Sequence, residues 1–311
     1  MDIIRGVHNI KPSHSGCVLT IVTFDGFHYG HQMLLTHLKA KSEELGQPSL
    51  LVTFEPQPRE YFQGEVVPAR LTRFREKVLI LEELGIDRVL CIPFNERTRI
   101  TEAEALIQQF LIDKLDVGYV VVGDDFRFGK GARGDYAMLK QFGDRYGFGV
   151  GHMGTLRLEN ERVSSTRVRE VLAEGDFQSA SKLLGRPYSI MGRVIYGRQL
   201  ARELGAPTAN IRLQRYRAAL SGVYAVEVEG IGDVCEGVAN IGLRPTVDGK
   251  QSMLEVHLFD FVDDIYGKFL KVTFLKKLRE EKKFDGLDSL RKQIAQDIAN
   301  ARDWFVQDRS G

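Results

Sequence analysis

The sequence is short of the features that mark several protein classes. Its 311 residues include three cysteines, Cys17, Cys91 and Cys235, far apart and odd in number. That pattern offers neither a metal-ligand cluster nor a disulfide framework, and it points to a reducing compartment. No apolar run approaches the roughly 20 residues needed to cross a bilayer. The opening MDIIRGVHNIKPSHSG lacks the apolar core of a secretion signal. An excess of charge is missing too, since 43 Lys+Arg against 42 Asp+Glu leave a formal net charge of +1. Such a balance asks for neither nucleic acid nor an anionic membrane as partner. These absences lead us to expect a cytoplasmic protein without membrane or nucleic-acid partners. Internal repeats, low-complexity linkers and heptad arrays are also absent.

What is present suits a globular chain. Hydrophobic residues at 43% and charged residues at 27% leave enough apolar material for a sizeable core. The length favours two domains over one. In the first half, apolar runs alternate with helical patterns. VLTIVTF (18–24), SLLVTFEP (49–56), RVLCIPF (88–94), GYVVVGDDF (118–126) and the weaker GVGHM (149–153) read as strands. They are continuous rather than alternating, as strands buried on both faces of a parallel sheet are. HQMLLTHLKAKSEELG, TRFREKVLILEELG and EAEALIQQFLIDKLD carry apolar residues at helical spacing, and the first two end in a glycine stop. This order predicts an α/β domain of Rossmann-like type over residues 1–185.

The character changes near residue 185. Short runs separated by glycine and proline follow, and in SMLEVHLFDF the residues Leu254, Val256 and Leu258 alternate with Glu255, His257 and Phe259. A period of two with frequent turns predicts an antiparallel barrel or sandwich over residues 186–311. A terminal helix over FDGLDSLRKQIAQDIANARDWF (284–305) closes it.

The first strand ends at Phe24, turns at Asp25-Gly26, and is followed by His28, Gly30 and His31 at the start of a helix. Helix N-termini at the carboxyl ends of parallel strands point free N–H groups at ligands. Histidines three apart there can face one side and donate to phosphate oxygens, and Gly30 lets a nucleotide approach the backbone. Either histidine alone is as readily a cap or a solvated turn residue. The spacing His-x-Gly-His at a first strand-to-helix junction is more specific, and it resembles the signature of nucleotidyltransferases. Further on, Ser164, Ser165 and Thr166 precede an amphipathic helix bearing Arg167 and Arg169. That is a second candidate phosphate clamp, or an ordinary N-cap with a solvated arginine face. The lysine-rich second loop of aminoacyl-tRNA synthetases is not found, which argues against that class.

The barrel half holds GRVIYGRQLARELGAPTAN (192–210). Gly192, Gly197, Arg202, Gly205 and Pro207 make a glycine-rich basic segment able to wrap a triphosphate, or a set of barrel turns. Thr208 and Asn210 offer oxygens suitable for Mg²⁺. Glu255 is a candidate general base, and equally a solvated strand glutamate.

Taken together and in order, IRGVHNI, FDGFHYGHQ, LVTFEPQPREYF, LTRFREKVLILEELG, VVGDDFRFGKGARGD, SSTRVRE, LLGRPYSIMGRV, LGAPTANI, GVYAV, NIGLRPTV and LEVHLFDF with DIYGK run nearly end to end. By these residues the chain resembles the bacterial bifunctional riboflavin kinase/FAD synthetases. The resemblance implies phosphorylation of riboflavin by ATP to FMN in the second half, and adenylyl transfer from ATP to FMN, giving FAD and pyrophosphate, in the first. It implies ATP, riboflavin and FMN as small-molecule partners, and Mg²⁺ as cofactor. His28 and His31 match the adenylyl-transfer motif, with Phe24, Asp25, Gly26 and Gly30 beside them. Ser164, Ser165, Thr166 and Arg169 match its phosphate-binding segment, and Asp125, Phe126 and Phe128 its flavin- and nucleotide-lining loop. Thr208 and Asn210 match the Mg-ATP ligands, Glu255 the base for the ribityl hydroxyl, and Asn240 and Arg244 a neighbouring loop.

The sequence departs from the family at Val22 and Thr23, where glycine and asparagine are usual, and at Phe27, where a smaller apolar residue is usual. Side chains there are expected to crowd a nucleotide. The alternatives are therefore a riboflavin kinase with a weakened adenylyltransferase half, or a nucleotide-dependent binding protein with vestigial catalysis.

Overall fold

The computed structural model describes residues 1–158, 161–196, 208–213, 217–246 and 249–309. They form two compact units, one of Met1–Val67 with Thr72–Ser164, the other of Pro68–Leu71 with Ser165–Gly311.

The first unit is built on a six-stranded sheet of β1 (Asp2–Arg5), β2 (Val18–Ile21), β3 (Ser49–Glu55), β4 (Arg88–Pro93), β5 (Tyr119–Gly123) and β6 (Gly149–Met153), in the order β1-β4-β3-β2-β5-β6. Every neighbouring pair is parallel. The unbroken apolar runs follow from burial on both faces. Val18, Leu51, Val89 and Val121 enter one core with helices α1 (Tyr29–Leu45) and α3 (Phe74–Glu83). Leu19, Leu50, Val52, Leu90, Val120 and Val122 enter the opposite one, with Phe110, Leu111 and Leu139. Between α1 and α3 lies the short α2 (Pro58–Gln63). Helix α1 ends where Gly46 takes the left-handed conformation, φ 62°, a position glycine occupies without strain.

Three features differ from the sequence expectation. The edge strand β1 was too short to show a period, yet pairs with β4. The helix expected over residues 104–116 begins after α4 (Glu96–Ile100) as α5 (Ala103–Leu106) and widens into a π-helical stretch, Ile107–Ile112. A further helix, α6 (Tyr136–Tyr146), carries legible signals that were passed over. The Asp135 side chain accepts from the Met138 N–H, and Gly147 caps its end.

Strand order reverses direction of growth between β2 and β5, with β3 on one side of β2 and β5 on the other. Ligands of doubly wound sheets bind at this switch point, outside the carboxyl ends of the strands. Those ends here are Phe24 to His31 after β2 and Asp124 to Phe128 after β5. After β6 a small hairpin pairs β7 (Arg157–Leu158) with β8 (Glu161–Arg162).

The second unit opens with α7 (Ser165–Glu174) and α8 (Phe177–Leu184). Six strands follow: β9 (Ser189–Ile195), β10 (Ala209–Arg212), β11 (Gly222–Glu229), β12 (Cys235–Thr246), β13 (Gly249–Leu258) and β14 (Phe269–Arg279). They close into an antiparallel barrel in the order β10-β13-β12-β11-β14-β9. In β13, Ser252, Leu254, Val256 and Leu258 are buried while Met253, Glu255 and His257 are half-buried, the period of two read from the sequence. Phe259 breaks that reading. It was expected on the solvated face with Glu255, but it is buried beneath the terminal helix α9 (Leu287–Asp308), its ring edge-on to Phe305 at 6.4 Å.

Helix α9 is also tied to the barrel by a charge pair. Arg279 donates from Nε to Asp297 Oδ1 at 2.8 Å and from an Nη to Oδ2 at 2.7 Å, and Gln293 adds a third bond to the buried carboxylate. Removing one partner of such a pair leaves an uncompensated charge. Asp297→Ala is expected to destabilise the second unit by about 3 kcal/mol, measured by urea unfolding. A loss under about 0.5 kcal/mol, typical of exposed pairs, would show that the clamp is not structural.

Candidate active site

The turn after β2 is shaped by two buried hydrogen bonds to one threonine. Asp25 Oδ1 accepts from the Thr72 N–H at 2.8 Å, and Thr72 Oγ1 accepts from the Gly26 N–H at 2.5 Å. Thr72 lies just before α3, so the turn is fastened to the start of that helix. Gly26 has φ 88° and Phe27 φ 54°, so the chain passes through two left-handed residues. The first suits glycine. The second turns the Phe27 side chain into the core, fully buried, with its ring 5.2 Å from Phe24. The crowding expected from Phe27 therefore has no side chain on the surface to cause it. Val22 packs against the same core, and Thr23 alone of the three departures is exposed.

The reversal delivers His28 to the N-cap of α1 and His31 to its first turn. Their rings stack at 3.6 Å with 22° between planes, and Phe24 backs His31 at 4.2 Å. The two face one side, as the spacing predicts. Gly30 is required by this stack, because a side-chain carbon there would meet the His28 ring at 3.3 Å. Both Nδ1 atoms are buried and take no hydrogen bond from a described residue. Burial pushes the His28 pKa down to about 4, against the pull of the Asp25 carboxylate. His31 is held well below the ordinary histidine range by burial, then by the charges of His28 and Lys77. In the free protein both rings are neutral at pH 7 and present hydrogen-bonding nitrogens rather than fixed charge.

After β5, Asp125 is exposed and paired with Arg162 at 3.0 Å. Phe126 and Phe128 stack at 5.3 Å against the sheet's core. Asp124, beside them, pairs with His152 of β6 at 2.8 Å. Sequence reasoning missed an aromatic shelf at the carboxyl ends of β3 and β4. Tyr61 lies 5.4 Å from Phe62 and 5.3 Å from Phe94, and Phe54 lies 5.8 Å from Phe94. Phe62 is 63% exposed, unusual for so large an apolar ring at a helix end. The signal was present in EPQPREYF, where two prolines and adjacent aromatics follow a strand.

Ser164 closes the first unit, while Ser165, Thr166 and Arg169 form the first turns of α7 in the second. There the Arg169 Nε donates to the Ala69 carbonyl at 2.5 Å.

The barrel brings its candidates together through strand register. Asn210 of β10 lies opposite Glu255 of β13, and Glu255 lies opposite Asn240 of β12. Directly opposed residues share a face with Cβ atoms about 5 Å apart, so Asn210, Glu255 and Asn240 form one polar row across three strands. Thr208, two residues before Asn210, projects to the same side. Asn210 is buried, yet its Oδ1 takes no hydrogen bond from a described residue. An oxygen left so is suited to an external donor or a cation. The neutral oxygens of Thr208 and Asn210 fit Mg²⁺, which keeps several waters and shares substrate phosphates. Among the described residues, no cluster of His, Cys, Asp or Glu could hold a metal ion. Gly192 sits inside β9, where a side chain would run into Ile211. Gly197, Arg202, Gly205 and Pro207 lie outside the described residues. Arg244 lies on β12, and its side chain is likewise outside them.

Comparison with known proteins adds to this geometry. The sequence model of the FAD synthetase family matches residues 10–167, and that of the riboflavin kinase family matches residues 184–305. The bifunctional riboflavin kinase/FMN adenylyltransferase of Pseudomonas fluorescens is 50% identical over 304 residues, covering 97% of each chain. The proteins of that description from Haemophilus influenzae and Escherichia coli K12 are each 46% identical, covering 98% of this chain and 99% and 98% of theirs. A solved structure from Streptococcus pneumoniae, described as a macrolide-efflux protein, superposes with TM-score 0.80 at 28% identity, covering 98% of this chain and all of that one. No helix among the described residues is long and apolar enough to cross a membrane.

The depressed His28 pKa carries a stability consequence. The unfolded chain takes up its proton near pH 6.5 and the folded chain only near 4. Stability is thus full above pH 6.5 and falls as pH drops toward 4. This histidine alone is expected to remove about 2 kcal/mol at pH 5 relative to pH 7. Urea unfolding at both pH values checks this, since His28→Gln is expected to lose that much less than the parent. An equal loss in both proteins refutes the assignment.

Proposed function

The chain belongs to the bifunctional riboflavin kinase/FMN adenylyltransferase family, and from that premise we propose how its residues divide the two reactions. Riboflavin and ATP give FMN and ADP in the barrel. FMN and a second ATP give FAD and pyrophosphate in the first half, which we take as residues 1–185 with the kinase in 186–311.

In the kinase reaction, the observation that carries the reading is the row Asn210–Glu255–Asn240. A ribityl hydroxyl is a poor nucleophile at neutral pH, so its proton needs an acceptor as the oxygen attacks the γ-phosphorus. Glu255 takes that proton as the new P–O bond forms and the bond to ADP breaks. Thr208 and Asn210 would hold Mg²⁺, which supplies neutralising charge to the triphosphate when bound. Asn240, beside Glu255, orients the hydroxyl. The basic segment with Gly192, Gly197, Arg202, Gly205 and Pro207, together with Arg244, is assigned to the nucleotide.

Adenylyl transfer makes a different demand. The attacking oxygen belongs to the FMN phosphate, already an anion, so alignment and charge dispersal replace general base catalysis. His28 and His31 donate to the α-phosphate oxygens as the bond to the β-phosphate breaks. Ser164, Ser165, Thr166 and Arg169 are assigned to the phosphates. Asp125, Phe126 and Phe128 line the nucleotide and flavin. The exposed Tyr61–Phe62 shelf suits the flat isoalloxazine ring, which gains from stacking on aromatics. A cytoplasmic setting is supported by the reduced cysteines.

The two assignments separate in one assay with riboflavin, ATP and Mg²⁺, following FMN and FAD by chromatography. Glu255→Gln is expected to slow FMN formation roughly a thousandfold and leave FAD synthesis from supplied FMN intact. His31→Ala is expected to do the reverse. Loss of both activities together in either folded variant overturns the division.

A further inference from the structure

Helix α3 carries a lysine where its pattern calls for an apolar residue. Lys77 is 2% exposed. It lies three residues after Phe74 and four before Leu81, and both of these pack into the core holding Phe24, Phe27, Leu34 and Leu35. Residues at these spacings share one helix face, so Lys77 points from α3 toward the turn and helix that present the histidines. A lysine is almost never fully buried without a use for its charge. The start of the same helix is where Thr72 grips Asp25 and Gly26. One helix therefore both fixes the backbone of the His-x-Gly-His turn and places a cation behind it.

Building on the adenylyl-transfer reading of His28 and His31, we propose that Lys77 is a positioning residue for that step, setting the charge state of the histidine pair from beneath. The charged and titratable groups around His31 are His28 stacked on it, Asp25 in the turn, Lys77 and Glu76 on α3, and Arg162 of β8 acting on His28. Glu76 is committed to the Arg73 N–H, and Asp25 to Thr72. With Lys77 close, adding a proton to His31 places two positive charges in a buried site. The ring stays a neutral donor with its tautomer free to match the α-phosphate, and only the arriving polyanion relieves the repulsion. Lys77 itself is sealed from solvent and touches no substrate.

The test compares kcat/KM for FAD synthesis against pH, which reports groups of the free enzyme, with histidine titrations by NMR on the full chain. Lys77→Met keeps the stem and removes the charge. It is expected to lower FAD synthesis about tenfold at pH 7, to raise the acid limb and the His31 titration by about one pH unit, and to leave FMN formation unchanged. Lys77→Arg is expected to restore the parent profile. If the methionine variant does not fold, Lys77→Gln gives the same comparison. An acid limb and a His31 titration that stay at the parent values in the uncharged variants overturn the proposal. His31→Ala is measured alongside. Its loss of FAD synthesis with unmoved Lys77 profiles refutes the lysine's role alone. Retention of FAD synthesis in His31→Ala refutes the underlying site reading, and this proposal with it.

Discussion

The geometry of the adenylyl-transfer turn depends on Thr72, which donates its backbone N–H to Asp25 and accepts the Gly26 N–H on its hydroxyl. All three residues are buried, so neither bond can be exchanged for water, and leaving one of these groups unpaired costs about 1–3 kcal/mol. That constraint holds two successive left-handed residues in place. The reversal sends Phe27 into the core and lifts His28 and His31 to the rim as a stacked pair. Without the clamp, the same sequence could extend β2 or begin α1 earlier, and the histidines would lose their common direction. The site is thus a product of backbone hydrogen bonding from a segment 46 residues away.

Much of this was legible before the fold was known. Continuous apolar runs marked strands buried on both faces, and the alternation in SMLEVHLFDF marked a barrel strand with Glu255 off the core face. His-x-Gly-His at a strand-to-helix junction marked a phosphate site. The illegible parts share a physical cause, since each was decided by contacts distant in sequence. Strand β1 is four residues long and gains its identity only by pairing with β4. Phe259 has the parity of a solvated residue but is covered by a helix more than twenty residues further on. Phe27 was expected to face a nucleotide, and nothing local revealed the positive φ that turns it inward. The row Asn210–Glu255–Asn240 could not be read either, because register between strands is not written in any one of them.

The two sites solve placement in opposite ways. In the barrel, antiparallel pairing alone aligns the polar row, and each side chain inherits its direction from its strand's parity. Nothing beyond the ladder is needed to bring residues 210, 240 and 255 side by side. In the first unit, parallel pairing delivers only strand ends to a common edge, and loops must finish the work. That explains the density of special devices there: a buried Asp–Thr clamp, two positive-φ residues, a glycine made necessary by an imidazole, and a buried lysine.

Their electrostatics follow from the nucleophile each must handle. A ribityl alcohol must lose a proton during attack, so a carboxylate, anionic at neutral pH, is the group of use, and half-buried Glu255 sits among neutral amides. A phosphate monoester arrives without a proton to lose, and added negative charge would repel both it and the triphosphate. The first site accordingly places no free carboxylate at its centre: Asp25 is turned to Thr72, and Asp125 is paired with Arg162. Its central groups are imidazoles kept neutral by burial and by a cation behind them. Neutral donors attract each phosphate less strongly than fixed charges, and they also release pyrophosphate and the dinucleotide product more readily. For a site that must bind two polyanions and free two others, that compromise favours turnover over affinity.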